Sequence, residues 1–244
     1  MADSVWDASS AAEGARPKRH PATVRVTHWI AALAFLALLV TGAEIVISHP
    51  RFYWGEAGNV HTRPLFRLPI PASRGTVPTG YNYVLPDQNG WSRYLHFESA
   101  WVVVLTGLFY VCFGLFSGHF RRNLVPARGD LTRKGLWAVL TRAVPESPWS
   151  YNVIQRLTYL LVIFGLFPLV IWTGLAMSPA FASAFPRAVE ILGGQQSART
   201  IHFGVSIFLL GFLLVHLTMV WLAGFRKRVG AMITGGGAAW KEQK

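Results

Sequence analysis

Thr200–Phe225 reads TIHFGVSIFLLGFLLVHLTMVWLAGF, 26 residues without one Asp, Glu, Lys or Arg. About 20 mostly apolar residues suffice to cross the hydrocarbon core of a bilayer, so this stretch spans with length to spare. Three others are equally free of charge: Val26–Ala43 (18 residues), Ser99–Phe120 (22) and Leu157–Pro186 (30). Across the 244 residues only 14% are charged and 52% are apolar, where a soluble domain carries about a quarter charged residues. The fold class is therefore an all-α integral membrane protein, a four-helix transmembrane bundle. A β-barrel is excluded, because its strands show alternation over ~10 residues rather than unbroken apolar runs. A Rossmann domain and a soluble bundle are excluded with it.

The net charge of +12 would suggest nucleic acid in a soluble chain. Here the basic residues sit mostly between and beyond the apolar runs, where they act as topology signals and contacts with membrane lipid, so no nucleic-acid partner is expected. With four spans both termini share a side. That side holds 15 Lys and Arg: Arg16, Lys18, Arg19 and Arg25, six between His119 and Asn152, and five after Phe225. The opposite side holds 7, in the first and last connections. The positive-inside rule puts both termini in the cytoplasm. Residues 1–22 are polar and contain Pro17 and Pro21, which predicts a disordered tail and no cleavable leader. The spans are expected at about 26–47, 94–118, 153–177 and 199–224, within a bundle domain over 23–228, with a second cytoplasmic tail over 229–244. The single cysteine, Cys112, excludes an internal disulfide, a cysteine-held iron–sulfur cluster and covalent haem attachment. It reads as a small buried hydrophobe.

The first outer connection, Ser48–Arg93, interleaves Pro50, Pro64, Pro69, Pro71, Pro78 and Pro86 with Tyr53, Trp54, Phe66, Tyr81, Tyr83 and Trp91. Proline blocks helix continuation while the aromatics seek burial, so a long, ordered, irregular cap is expected, suited to docking a partner. On the inner side Gly135–Arg142 reads as a short helix lying in the interface. Pro168 predicts a kink in the third span.

The histidines carry the chemistry. His202 and His216 are 14 residues apart on the fourth span; at about 100° per residue they fall roughly 40° from the same direction, ~21 Å apart along the axis. His28 opens the first span from inside and His96 the second from outside. Antiparallel packing can thus pair His96 with His202 at the outer level and His28 with His216 at the inner one. Two histidine pairs at two depths suit two haem b groups, each iron held by two imidazoles with the apolar macrocycle between helices. Arg25, Arg93 and Arg199 each precede one of these histidines by three residues. They are candidates to neutralise the propionates, or helix-end anchors that snorkel. Measured from the nearest basic residues, His28 lies three from Arg25 and His216 ten from Arg226, a depth mismatch of ~10 Å that tilt or an earlier helix start must absorb.

Glu44 and Glu98 lie close to hydrocarbon and read as proton carriers or as interfacial carboxylates paired with arginine. His119 is 23 residues after His96, about 140° away, and reads as interfacial. His20, His49 and His61 receive no role. Histidines in a four-helix carrier or channel subunit would instead be proton relays, but no repeated half with interrupted helices is present.

The Thr27-His28-Trp29 start, the Leu95-His96-Phe97 opening, the third span without histidine and the His202/His216 pair resemble the bacterial cytochrome b561 and nickel-hydrogenase cytochrome b superfamily. Within it the chain is similar to formate-dehydrogenase gamma and thiosulfate-reductase-type cytochrome b subunits. The resemblance covers residues 20–228. It implies that His28 and His216 ligate a cytoplasmic-side haem and His96 and His202 an outer one. It also implies a quinone site beside one haem and a periplasmic redox subunit, of molybdopterin type, as partner, in a bacterial plasma membrane. The chain is then an electron-transfer subunit rather than a catalytic one. A stand-alone quinone-linked cytochrome b561 is the nearest alternative.

Overall fold

A computed structural model describes residues 21–58, 61–70, 88–126 and 153–235. The tail expected over 1–22, apart from Pro21 and Ala22, and the interfacial helix expected over 135–142 lie outside these residues. The elements are α1 (Ala22–Ser48), β1 (Arg51–Phe52), β2 (Phe66–Arg67), α2 (Gln88–Phe116), α3 (His119–Asn123), α4 (Val153–Leu161), a π-helical turn (Val162–Leu166), α5 (Phe167–Ala176), α6 (Pro179–Ala184), α7 (Pro186–Glu190), α8 (Gln195–Leu222) and α9 (Phe225–Thr234).

Four helical segments are long and apolar enough to cross a membrane: Ala22–Ser48, Gly90–Phe116, Val153–Ala176 and Gln195–Leu222. Their burial pattern inverts that of a soluble bundle. Leu33, Leu108, Phe116, Phe208 and Val215 are exposed, whereas Thr41 and Thr173 are fully buried. Backbone groups are satisfied within each helix, lipid solvates the apolar exterior, and small polar residues allow the helices to approach closely. The chain is a multi-pass membrane protein.

The second and fourth spans start earlier than the sequence suggests, at Gln88 rather than about 94 and at Gln195 rather than about 199. Both helices continue past the apolar stretch on polar residues. In the third span Pro168 follows the π-helical turn directly, at the start of α5. Proline has no N–H to donate and its ring crowds the carbonyl four residues back, so the wider turn absorbs the disruption.

Close backbone packing is concentrated within two helix pairs, α1 against α2 and α5 against α8. Side chains fill the space between the pairs. At mid-depth Val162, Val205 and Leu209 form a buried cluster joined by Phe35, Leu166 and Phe167, with Phe35 and Phe167 edge to face at 6.3 Å. Leu209 stands seven residues from both His202 and His216, and Phe35 seven from His28, close to two turns in each case. An apolar layer therefore separates two histidine levels.

At the outer end, β1 and β2 pair antiparallel in the register Arg51↔Arg67 and Phe52↔Phe66. Phe52 stacks on Phe66 and packs on Phe203, at 4.7 and 4.5 Å. The following loop sits on the N-terminus of α8. Gln196 and Ser197 N–H donate to the Gly55 carbonyl, Gly55 N–H donates to Ser197 Oγ at 2.8 Å, and Gln195 N–H reaches a Glu56 carboxylate oxygen at 3.2 Å. This carboxylate answers both the orphan amides and the positive end of the helix dipole.

Candidate functional site

At the inner level the rings of His28 (α1) and His216 (α8) face each other with centroids 6.2 Å apart. At the outer level His96 (α2) and His202 (α8) stand 6.3 Å apart. The depth mismatch inferred from the charges disappears. His28 is the seventh residue of α1 and His216 the seventh from the end of α8, while His96 and His202 are the ninth and eighth residues of their helices. The error came from treating Arg25 as the helix rim. α1 begins at Ala22, and Arg25, inside it, donates to the Ile233 carbonyl of α9 at 2.5 Å.

The separation has chemical meaning. Two imidazoles that held one metal between them, each about 2.0 Å from it and with about 1.1 Å from nitrogen to ring centre, would have centroids about 6 Å apart. Both pairs have that spacing. Among the described residues no group of three or more His, Cys, Asp or Glu converges on one point, so the donors come as pairs, as iron already held by a macrocycle requires.

The outer rings are also oriented. Thr41 donates its hydroxyl to the Ala37 carbonyl at 2.7 Å, leaving its oxygen to accept from His96 Nδ1–H at 2.9 Å. Thr173 likewise donates to Leu169 at 2.8 Å and lies 3.1 Å from His202 Nδ1. The Val170 carbonyl, 3.0 Å from the same nitrogen, can only accept. This hydrogen bonding assigns the proton to Nδ1 and leaves Nε2 with a lone pair, as in metal-bound histidines generally. Sequence reasoning missed both threonines. Each is followed by a glycine against the same ring: a Cβ on Gly42 would lie 3.6 Å from His96 Cε1, and one on Gly174 3.4 Å from His202 Cε1.

The inner level is less furnished. His28 Nδ1 and Arg25 Nε are buried without a hydrogen-bond partner among the described residues. Phe212 stacks on His216 at 5.9 Å, and Trp29 meets His28 edge-on. Gly107 of α2 has nothing within 4 Å of where its Cβ would stand. It follows His96 by 11 residues, three turns and about 16 Å inward on the same face, so open space exists at the inner level. The donor pairs at both levels, the oriented nitrogens at the outer one and the gap at the inner one fit haem.

The arginines distribute unevenly. Arg199 donates to the His49 carbonyl at 2.5 Å and its guanidinium lies 5.2 Å from the Phe52 ring centre; Arg93 is exposed on α2. Trp29 Nε1–H donates to the Met232 carbonyl at 3.1 Å, so α9 is held at both Trp29 and Arg25. The bundle thus continues past residue 228, where the sequence suggested a tail. His119 packs in an aromatic group with Tyr110, Phe113 and Phe120, away from both pairs. Glu98 is exposed, and Glu44 is half-buried with Oε2 unmatched among the described residues.

Residues 19–235 match the family described as Prokaryotic cytochrome b561. Over 202 residues, 82% of this chain and 89% of its relative, the sequence is 29% identical to an Azospira oryzae protein named protein-methionine-sulfoxide reductase subunit YedZ1. Over 239 residues, 89% of this chain and 87% of the relative, it is 24% identical to a Cupriavidus necator protein named as a Ni/Fe-hydrogenase B-type cytochrome subunit. No solved structure matches the chain.

Proposed function

The chain belongs to the prokaryotic cytochrome b561 family, whose members bind haem b and transfer electrons in membranes, and from this we propose that it is a di-haem subunit linking the quinone pool to a periplasmic redox enzyme. The observation that carries the reading is the matched pair of ring separations, 6.2 and 6.3 Å, at opposite ends of one helix. When bound, haem b supplies a one-electron carrier at each level.

The chain's own residues do the rest. His28 and His216 hold the inner group, His96 and His202 the outer one. Thr41, Thr173 and the Val170 carbonyl keep the outer imidazoles turned with Nε2 inward. Phe35, Val205 and Leu209 exclude water between the levels. Arg25, Arg93 and Arg199 supply positive charge near the rims, where propionates need it. The relatives named as subunits of redox complexes support a partner enzyme, of molybdopterin type on this reading. Trp54 and Leu65, exposed on the outer connection, offer it an apolar contact. Both termini lie in the cytoplasm of a bacterium with the protein in its plasma membrane, as the basic residues favour.

Anaerobic addition of a water-soluble quinol to the purified protein tests the reading. We expect the reduced b-type absorption bands to appear and a second redox subunit to co-purify at native expression. A protein purified colourless from haem-sufficient cells would overturn the reading in favour of a transport subunit. A coloured chain with no companion would overturn the subunit role in favour of a stand-alone quinone-linked cytochrome.

A further inference from the structure

Arg25, His28 and Trp29 stand at i, i+3 and i+4 on α1, so the inner histidine shares one helical face with both residues that hold α9. The end of α9 fits this face for a physical reason. The last four carbonyls of a helix have no donor from a following turn. Gly235 N–H answers Ala231, Trp29 Nε1–H answers Met232 at 3.1 Å, and Arg25 answers Ile233. The guanidinium also meets the negative end of the α9 dipole. Gly235, buried at φ +78°, closes the fit, because a Cβ there would lie 3.0 Å from Arg25 Cζ.

The two levels orient their rings by different means. At the outer level the imidazoles are turned by hydrogen bonding at Thr41 and Thr173. At the inner level each ring is braced by an aromatic side chain of its own helix. The Trp29 indole meets His28 at 5.3 Å and 88°, the edge-on arrangement in which a positive ring edge points at a negative face. Phe212, one turn before His216, stacks on it at 5.9 Å and 26°, and Tyr159 of α4 meets Phe212 edge-on at 6.3 Å. The two imidazole planes lie at 49° to each other. An edge-on contact holds a ring only as firmly as the partner ring is held. An indole turns about two side-chain bonds, the second with a broad preference, and the hydrogen bond to Met232 removes that freedom.

We propose that α9 is the positioning element of the inner site: its last turn pins the Trp29 indole, and the indole fixes the tilt of the His28 ring toward His216. Trp29 is then a positioning residue that acts through His28, and the chain after the fourth span bears directly on the inner electron carrier. The proposal rests on the di-haem reading above.

The test compares Trp29→Phe, which keeps an aromatic ring and removes the indole N–H, with a chain ended at Gly230, which removes the carbonyls and leaves α1 intact. Gly235→Ala, strained at its positive φ, takes the place of the shortened chain if that does not fold. Haem stoichiometry and EPR of the oxidised, purified protein are read for each, since EPR of low-spin iron reports the angle between its axial ring planes. His216→Ala marks which signal is the inner one. We expect the inner signal to shift or broaden in both variants. The inner haem should also be lost on dilution roughly tenfold more readily, the lower end of what a ligand's supporting contacts contribute. The outer signal should keep its wild-type position. Because both changes break one link, Trp29→Phe in the shortened chain should do no more than the shortening alone. A wild-type inner signal in either variant, additive effects, or an equal change at both levels would overturn the positioning role with the di-haem reading intact. A wild-type chain lacking the inner haem would overturn both.

Discussion

His202→Ala is expected to reduce haem content from two per chain to one and to remove the outer signal from the difference spectrum. The loss should be complete rather than graded, because among the described residues no other donor lies opposite His96. The rings stand 6.3 Å apart, and alanine would leave His96 alone to hold the group beside an apolar cavity. Thr173→Val separates ligation from orientation. It keeps Nε2 in place and removes one acceptor at Nδ1, leaving the Val170 carbonyl. Loss of such a supporting hydrogen bond typically weakens metal affinity by roughly 10–100-fold, so this variant should retain the outer haem when fully loaded and lose it first on dilution. Pyridine haemochrome assay against protein concentration measures both. Two haems remaining in His202→Ala would remove His202 from the scheme.

His216→Ala is expected to stop electron transfer across the bilayer. His202 and His216 are separated by 14 residues of α8, a rise of ~21 Å, and Phe35, Val205 and Leu209 fill the space between them with side chains that carry no charge. Without the inner histidine pair, nothing among the described residues would relay an electron over that distance. In vesicles with ferricyanide trapped inside and an impermeant reductant outside, the wild type should consume the trapped oxidant and the variant should remain at the rate of empty vesicles. The outer haem should still reduce from its own side in both. A wild-type rate in the variant would show that the inner histidine pair is not on the path.

Both predictions depend on features of unequal visibility in the sequence. The four spans are legible because hydrocarbon excludes charge: a run such as Leu157–Pro186 admits no other reading. Their ends are not, since a helix continues past the apolar core at little cost where its polar residues meet water. Arg93, exposed, lies within α2 for this reason, and Arg25 lies within α1 because the carbonyl end of α9 receives it. α9 itself was hidden. Arg226, Lys227 and Arg228 read as a basic tail, and only the docking of Met232 and Ile233 on Trp29 and Arg25 makes it part of the bundle. The prolines at 179 and 186 start two short helices, where a missing N–H costs nothing,.

At the site, periodicity puts His202 and His216 on nearly one face, since they are 14 residues apart,, and antiparallel packing of the spans then offers each a partner. The threonines beside the outer rings required the third dimension. Thr173 is on the span without histidine, and its value comes from packing of α5 against α8. A trace of it was present: Thr41-Gly42, Thr106-Gly107 and Thr173-Gly174 place the same dipeptide in three of the four spans. In two of them the pair proves to be an acceptor and a bare backbone against an imidazole.

Haem-to-protein stoichiometry of the detergent-purified wild type, read by pyridine haemochrome beside a reduced-minus-oxidised spectrum, bears on all of this at once. Two haems b per chain are expected, one for each histidine pair. One haem would contradict the two-level arrangement and leave the outer pair, with its oriented rings, as its holder; none would contradict the assignment of these histidines as ligands.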